Sequence, residues 1–174
     1  PGFGMSVTAV AEEQLALFSA EGYRQTQYRS PTPATAEGAQ TLDTAALQAL
    51  LAKEPDVVLV DVYRSQWLAG RFVDSEPHAN LPGSIWLANT GDGNLQPEWA
   101  SYFSDNLKRL SQGDAERPLV FYCRSDCWLG WNATRRAHAL GYKRLYWYRD
   151  GVDGWEQAGL PLHPATPEPL PGDD

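Results

Sequence analysis

The only two cysteines of this 174-residue chain stand four residues apart, in Leu119-Val120-Phe121-Tyr122-Cys123-Arg124-Ser125-Asp126-Cys127-Trp128, and the run continues as Leu129-Gly130-Trp131-Asn132. Four apolar residues rich in β-branched and aromatic types predict a short buried strand over 119–122. Apolar Ala133, Ala137 and Leu140 predict a helix over 132–140, which Gly141 ends. Both thiols then fall in the turn between a strand and a helix N-terminus, where free backbone N–H groups and the helix dipole favour an anion. A thiolate is such an anion, so Cys123 is expected to ionise more readily than a free thiol and to attack sulfur. Arg124 is the nearest positive charge and can hold an oxyanion bidentately. Ser125 and the loop N–H groups would share the stabilisation of that charge.

Each of these residues also has a plainer reading. Cys123 at a strand end could be a small buried hydrophobe. Cys127 either faces Cys123 as a resolving thiol or caps the first helical turn, and a disulfide between them needs Cα atoms about 4.4 to 6.8 Å apart, which a curled loop allows. One Cys-x-x-x-Cys without a nearby histidine is a weak metal signal, and no metal is assigned. His78, His138 and His163 are scattered, and solvated or hydrogen-bonded roles are expected for them. His138 is the one to watch, because it lies on the helix after the loop. Trp128 and Trp131 flank the cysteine turn and either line a flat aromatic pocket or pack against the N-terminal residues.

The elements that must position the turn are legible on both sides of it. Asp43 or Thr44 can cap a helix with Leu47, Leu50 and Leu51 on one face. Val57-Val58-Leu59-Val60 is the most strand-like run, unalternating and therefore covered on both sides, and it ends at Asp61. Asp61 is either a buried acid that orients a basic group or amide at the site, or a strand-end cap. Residues 70–83 read as a long irregular loop, and Ser84-Ile85-Trp86-Leu87 as a further strand. Trp99, Phe103, Leu107 and Leu110 share one helix face. Arg144 to Tyr148 is another strand, and Gly151 to Trp155 opens a short terminal helix. Trp67, Trp86, Trp99 and Trp155 sit at core-type positions. Strands alternating with helices predict an α/β fold with a mostly parallel sheet and helices on both faces, its site at the carboxyl ends of the strands. Leu15, Leu17 and Phe18 predict a short helix over 11–20, and residues 1–38 read as an extension that packs on a domain at 39–163. The tail at 164–174, with Pro164, Pro167, Pro169 and Pro171, reads as a strap across the surface.

Composition narrows the function classes. A formal charge of −8 and a hydrophobic fraction of 43% describe a globular acidic chain. No basic run interleaves with aromatics, so nucleic acid and anionic membrane are not expected partners. No apolar run approaches the ~18 residues of a membrane span. The opening Pro-Gly-Phe-Gly-Met-Ser does not read as a signal peptide, which fits a processed chain as well as extra residues before Met5.

From about Thr41 to Leu162 the order of landmarks resembles a rhodanese domain: Asp61-Val62 after a hydrophobic strand, Leu81-Pro82-Gly83-Ser84-Ile85, a strand ending in Cys123, Gly151 to Trp155, and Ala158-Gly159-Leu160-Pro161. A closer resemblance lies in Asp126-Cys127-Trp128, Trp131-Asn132-Ala133, Gly141-Tyr142 and Tyr146-Trp147-Tyr148, with Asp150-Gly151 and Asp153-Gly154-Trp155-Glu156. These resemble the rhodanese-related CXXCW-motif proteins associated with pyrroloquinoline-quinone-dependent alcohol catabolism in bacteria. The resemblance implies a sulfurtransferase that works through a persulfide on Cys123, no bound cofactor of its own, an association with a quinone-dependent dehydrogenase, and a periplasmic location. The rhodanese loop usually reads Cys-Arg-x-Gly-x-Arg or -Thr. Here Asp126 replaces the glycine and Trp128 the second donor, changes that work against binding a dianion such as thiosulfate. The usual Asp-Val-Arg is Asp61-Val62-Tyr63, with Arg64 one place late.

Three functions follow as expectations. The first is sulfur transfer through a covalent intermediate on Cys123, with Arg124, Ser125, Asp126, Trp128 and Asp61 as the candidate substrate-binding set and a small sulfur compound or thiol acceptor as partner. The second is thiol-disulfide redox, with Cys123 attacking and Cys127 resolving. The third is a non-catalytic module in which Trp128 and Trp131 stack on a quinone or a partner dehydrogenase.

Overall fold

The computed structural model describes residues 16–73 and 76–170, so the first half of the helix expected over 11–20 lies outside the described residues; of the second half Ala16 and Leu17 are helical, and Phe18 already pairs with Arg24 in a bridge. Strand β1 (Ala39–Leu42) leads into α1 (Thr44–Lys53), where the Asp43 side chain accepts the Ala46 N–H at 2.8 Å and caps the first turn. There follow β2 (Val58–Asp61), β3 (Trp67–Leu68), β4 (Arg71–Phe72), β5 (Ala79–Asn80), β6 (Ile85–Trp86) and α2 (Pro97–Ser111). The chain continues with β7 (Leu119–Tyr122), α3 (Trp128–Ala139), β8 (Leu145–Tyr148), α4 (Gly151–Gln157) and β9 (His163–Pro164).

Five strands form one parallel sheet in the order β1-β8-β7-β2-β6. Side chains alternate across a strand, so each central strand contributes to two cores. Val60, Leu119 and Phe121 pack with Phe103 and Leu107 of α2 and with Leu129, Ala133 and Ala137 of α3. Leu59, Val120, Tyr122 and Tyr148 pack on the opposite face with Leu47 of α1 and Trp155 of α4. This explains the unalternating apolar runs of β2 and β7: both faces are covered by helices. The expected α/β architecture is therefore the observed one, and the loop after β7 leaves the middle of the sheet at its carboxyl edge.

Two local readings change. Helix α3 begins at Trp128, four residues before its expected start, and Cys127 is its N-cap with φ −124° and ψ 114°. The first turn was hidden in sequence because its Trp128 and Trp131 face the N-terminal extension rather than the sheet. The stretch 70–83 is also not wholly irregular. Ala69 (φ 52°) and Gly70 (φ 78°) form the two-residue bend of the β3–β4 hairpin, both left-handed as a type I′ turn requires.

The described segments on either side of the domain, residues 16–38 and 164–170, are pinned to it. In the tail, Ala165 N–H donates to His78 O and Glu168 N–H to Trp86 O, the Tyr102 hydroxyl donates to Glu168 O at 2.6 Å, and Leu170 is buried. At the other end, the fully buried Asn132 of α3 grips the extension. Its Oδ1 accepts Arg24 N–H at 2.9 Å, while its Nδ2 donates to Arg24 O at 2.7 Å and Gly91 O at 2.9 Å. Asn132→Leu would strand these backbone groups away from water, so unfolding free energy from urea melts is expected to fall by about 2–4 kcal/mol.

Candidate active site

The cysteine loop is curled by Asp126, whose φ of 47° lies in the left-handed region that Asp tolerates better than most residues. The extension completes the loop from outside. Ser30 N–H donates to Asp126 O, Trp128 N–H donates to Tyr28 O, and Arg29 pairs with Cys127 in an antiparallel bridge. From below, Val152 N–H donates to Cys123 O at 3.1 Å.

This fold gives the two thiols different surroundings. Cys123 is 2% exposed, and its Sγ accepts the Gly130 N–H at 3.2 Å and lies 3.4 Å from Cys127 O, to which the thiol can donate. Burial, aided by the neighbouring thiol, pushes Cys123 well above the usual range, so it stays protonated. Cys127 instead lines a cavity of about 220 Å³ together with Tyr28, Arg29, Tyr63, Arg64, Arg124 and Leu129. A hydrogen bond from the Cys123 thiol, helped by the N–H groups of Arg124, Leu129 and Gly130, overcomes burial and brings Cys127 down to about 7. The helix N-terminus thus favours an anion in this loop, with Cys127 at the N-cap and the Gly130 N–H donating to Cys123 Sγ.

Three guanidinium groups surround that cavity. Arg29 lies 3.5 Å and Arg124 3.3 Å from the Asp153 carboxylate, and Arg64 lies 2.7 Å from Asp92. Three cations against two carboxylates leave room for an anion. Arg124 also has its Nε buried with no hydrogen-bond partner in the structure. Burial works against ionising Asp153, but the Ser125 N–H, the Arg124 guanidinium and the Ser125 hydroxyl hold its carboxyl below the usual range. The anion deficit inferred from the loop alone is therefore repaired by Arg29 and Arg64, which arrive from other parts of the chain. The Arg29 side chain is 54% exposed, so Arg29→Ala is expected to weaken binding of a small anion such as sulfite at this cavity about tenfold with the melting temperature unchanged.

A second cavity, about 290 Å³, shares the Tyr63, Arg64 and Arg124 wall and adds Ser65, His78 and Trp86. His78 stacks on Tyr63 with centroids 5.2 Å apart, and its Nε2 lies 2.6 Å from Asp61 Oδ2. Asp61 is wholly buried, also accepting Tyr63 N–H at 2.9 Å and Asn80 Nδ2 at 3.2 Å.

Of the expected substrate-binding residues, Arg124 alone reaches a cavity. Asp61 orients His78 and Tyr63 from beneath and is not a wall residue. Ser125 spends its N–H and hydroxyl on Asp153, at 2.9 and 3.0 Å. Asp126 is exposed and shapes the bend through its backbone. Trp128 is 6% exposed, its Nε1 donating to Ser30 Oγ at 2.9 Å and its ring covered by the Arg24 guanidinium at 4.6 Å. Trp131 donates to Thr35 O and packs edge-on against Phe18 and Trp128. The proposed aromatic platform is thus occupied by the chain's own extension. His138 is exposed, and the histidine that reaches a cavity is His78. Arg29, Arg64, His78 and Asp153 carry no local signal of a site role, because each is brought there only by tertiary packing. Among the described residues no three His, Cys, Asp or Glu side chains gather as a metal site would require, and no helix is long and apolar enough to cross a membrane.

A parallel sheet with a cysteine loop between a central strand and a helix N-terminus defines a class: a single α/β domain that carries its cysteines at the carboxyl edge of the sheet. Residues 43–158 match the model of the rhodanese-like domain, and the chain belongs to that family. Among solved structures, it is similar to a thiosulfate sulfurtransferase from Pseudomonas aeruginosa (19% identity, TM-score 0.52, covering 74% of this chain and 21% of that one). It is also similar to EanB in complex with ergothioneine (20% identity, TM-score 0.51, 74% and 32%). A polysulfide-sulfur transferase from Wolinella succinogenes aligns at 18% identity with a TM-score of 0.46, over 72% of this chain and 78% of that one. The chain thus spans well under half of two of these three proteins. No curated protein sequence matches it.

Proposed function

We propose that this protein transfers sulfane sulfur, with Cys127 as the attacking thiolate and a persulfide on Cys127 as the intermediate. One observation carries the reading: Cys127, at the N-cap of α3, lines a cavity together with Arg29, Arg64 and Arg124. In the first step the Cys127 thiolate attacks the sulfane sulfur of a donor such as thiosulfate. The S–S bond of the donor breaks, sulfite leaves, and Cys127 carries the added sulfur. Arg29, Arg64 and Arg124 stabilise the oxyanion that departs. Membership of the rhodanese-like family and the fold shared with a sulfurtransferase support sulfur transfer at this loop, while the choice of Cys127 over Cys123 rests on the cavity alone. The test is thiocyanate formation from thiosulfate and cyanide. Turnover should disappear in Cys127→Ala, and turnover that survives this substitution would remove the assignment.

The resemblance to the CXXCW-motif proteins supports placing this activity in the bacterial periplasm, beside quinone-dependent alcohol oxidation. A partner dehydrogenase would meet the protein at the open faces of the two cavities, since Trp128 is buried and Trp131 is engaged by Thr35 O and Phe18. Pull-down with a purified quinone-dependent alcohol dehydrogenase tests the partnership, and fractionation of cells expressing the natural gene tests the location.

A further inference from the structure

Resting on the sulfur-transfer reading above, we propose that the second thiol gives the protein an additional activity: Cys123 expels the carried sulfur as sulfide and leaves a Cys123–Cys127 disulfide. Cys123 and Cys127 belong to one buried cluster and are close enough to act on each other's ionisation. The left-handed bend at Asp126 brings the Cys123 Sγ to 3.4 Å from Cys127 O, directly behind the cavity wall. Cys123 is 2% exposed and lines neither cavity, whereas Cys127 lines one, so Cys123 stands behind the sulfur that faces a donor. A buried cysteine kept only for packing would need no such neighbour.

The step balances without an outside oxidant. The Cys123 sulfur attacks the inner sulfur of the Cys127 persulfide, a new S–S bond joins the two cysteines, and the bond to the outer sulfur breaks. The outer sulfur leaves with the Cys123 proton as hydrosulfide. The sulfane sulfur is thereby reduced by two electrons, and the two cysteines are oxidised to the disulfide. An external dithiol returns the pair to its reduced form through a mixed disulfide. Over one cycle, thiosulfate and a dithiol become sulfite, sulfide and an oxidised dithiol.

The experiment uses the reduced full chain under nitrogen, with thiosulfate alone and then with dithiothreitol added. Wild type is expected to release about one equivalent each of sulfite and sulfide and to lose the mass of two hydrogens. Cys123→Ser should release sulfite alone and gain the mass of one sulfur on Cys127. Dithiothreitol should then turn the single burst of sulfide in wild type into continuous release. A wild-type protein that keeps the added sulfur and frees no sulfide overturns this proposal while leaving sulfur transfer intact. If neither protein gains sulfur nor frees sulfite, sulfur transfer itself fails and the proposal falls with it. The wild-type measurement decides the matter even if the serine variant does not fold.

Discussion

Iodoacetamide labelling of the native protein is expected to occur almost entirely at Cys127, to be half-maximal in rate near pH 7, and to fall roughly 100-fold in Cys127→Ser. The direction follows from the environment of each sulfur. Thiolate alkylates and thiol does not, so a depressed group gains reactivity as pH rises through its own value and loses it below. Cys127 is brought down to about 7 chiefly by the Cys123 hydrogen bond, while burial holds Cys123 protonated across the physiological range. Two substitutions at Cys123 separate these causes. Cys123→Ser keeps a donor beside Cys127 and should move the midpoint little. Cys123→Ala removes the donor and should move it upward, nearer the ordinary thiol range. Labelling concentrated on Cys123, or a midpoint unmoved by Cys123→Ala, would contradict the assignment of roles. Peptide mapping after labelling at stepped pH provides the measurement.

Gly151→Ala is expected to destabilise the protein by about 3 kcal/mol and to slow persulfide formation roughly 100-fold. Gly151 has φ +60°, a region that L side chains avoid, and a Cβ there would lie 2.5 Å from Cys123 O and 2.7 Å from Arg124 Cα. Both neighbours are backbone of the cysteine loop, so relief is possible only by displacing the loop or the start of α4. Displacement would also strain the Val152 N–H to Cys123 O bond and the grip of Asp153 on Ser125 and Arg124. Gly159→Ala is the matched control: its φ of +78° carries a similar backbone penalty, but no atom lies within 4 Å of its Cβ position. It should cost about 1 kcal/mol and leave sulfur transfer unchanged. Thermal melts combined with intact mass after thiosulfate distinguish the two glycines.

Much of this was readable before any coordinates. The apolar runs at Val57 to Val60 and Leu119 to Tyr122 report strands covered on both faces, because burial on both sides removes the alternation that a half-exposed strand would show. The cysteine turn after a central strand follows from chain order. The rhodanese landmarks follow from residues at the carboxyl ends of strands, where a parallel sheet holds its site. Helix α3 starts four residues before the point where an aliphatic face toward the sheet begins. Its first turn instead turns Trp128 and Trp131 toward residues 18–35.

The sequence by itself therefore determined the architecture, the place of the cysteine loop and the presence of an anion-favouring helix terminus, since these depend on local periodicity and order along the chain. Tertiary structure alone decided which sulfur meets the cavity, that Arg29 and Arg64 join Arg124 there, and that Asp61 serves His78 rather than a ligand. The physical reason is that thiol ionisation depends on burial and on donors within a few ångströms. Those donors, the Cys123 thiol and the N–H groups of Arg124, Leu129 and Gly130, are neighbours in sequence, but only the curl of the loop and the start of α3 at Trp128 gather them around Cys127.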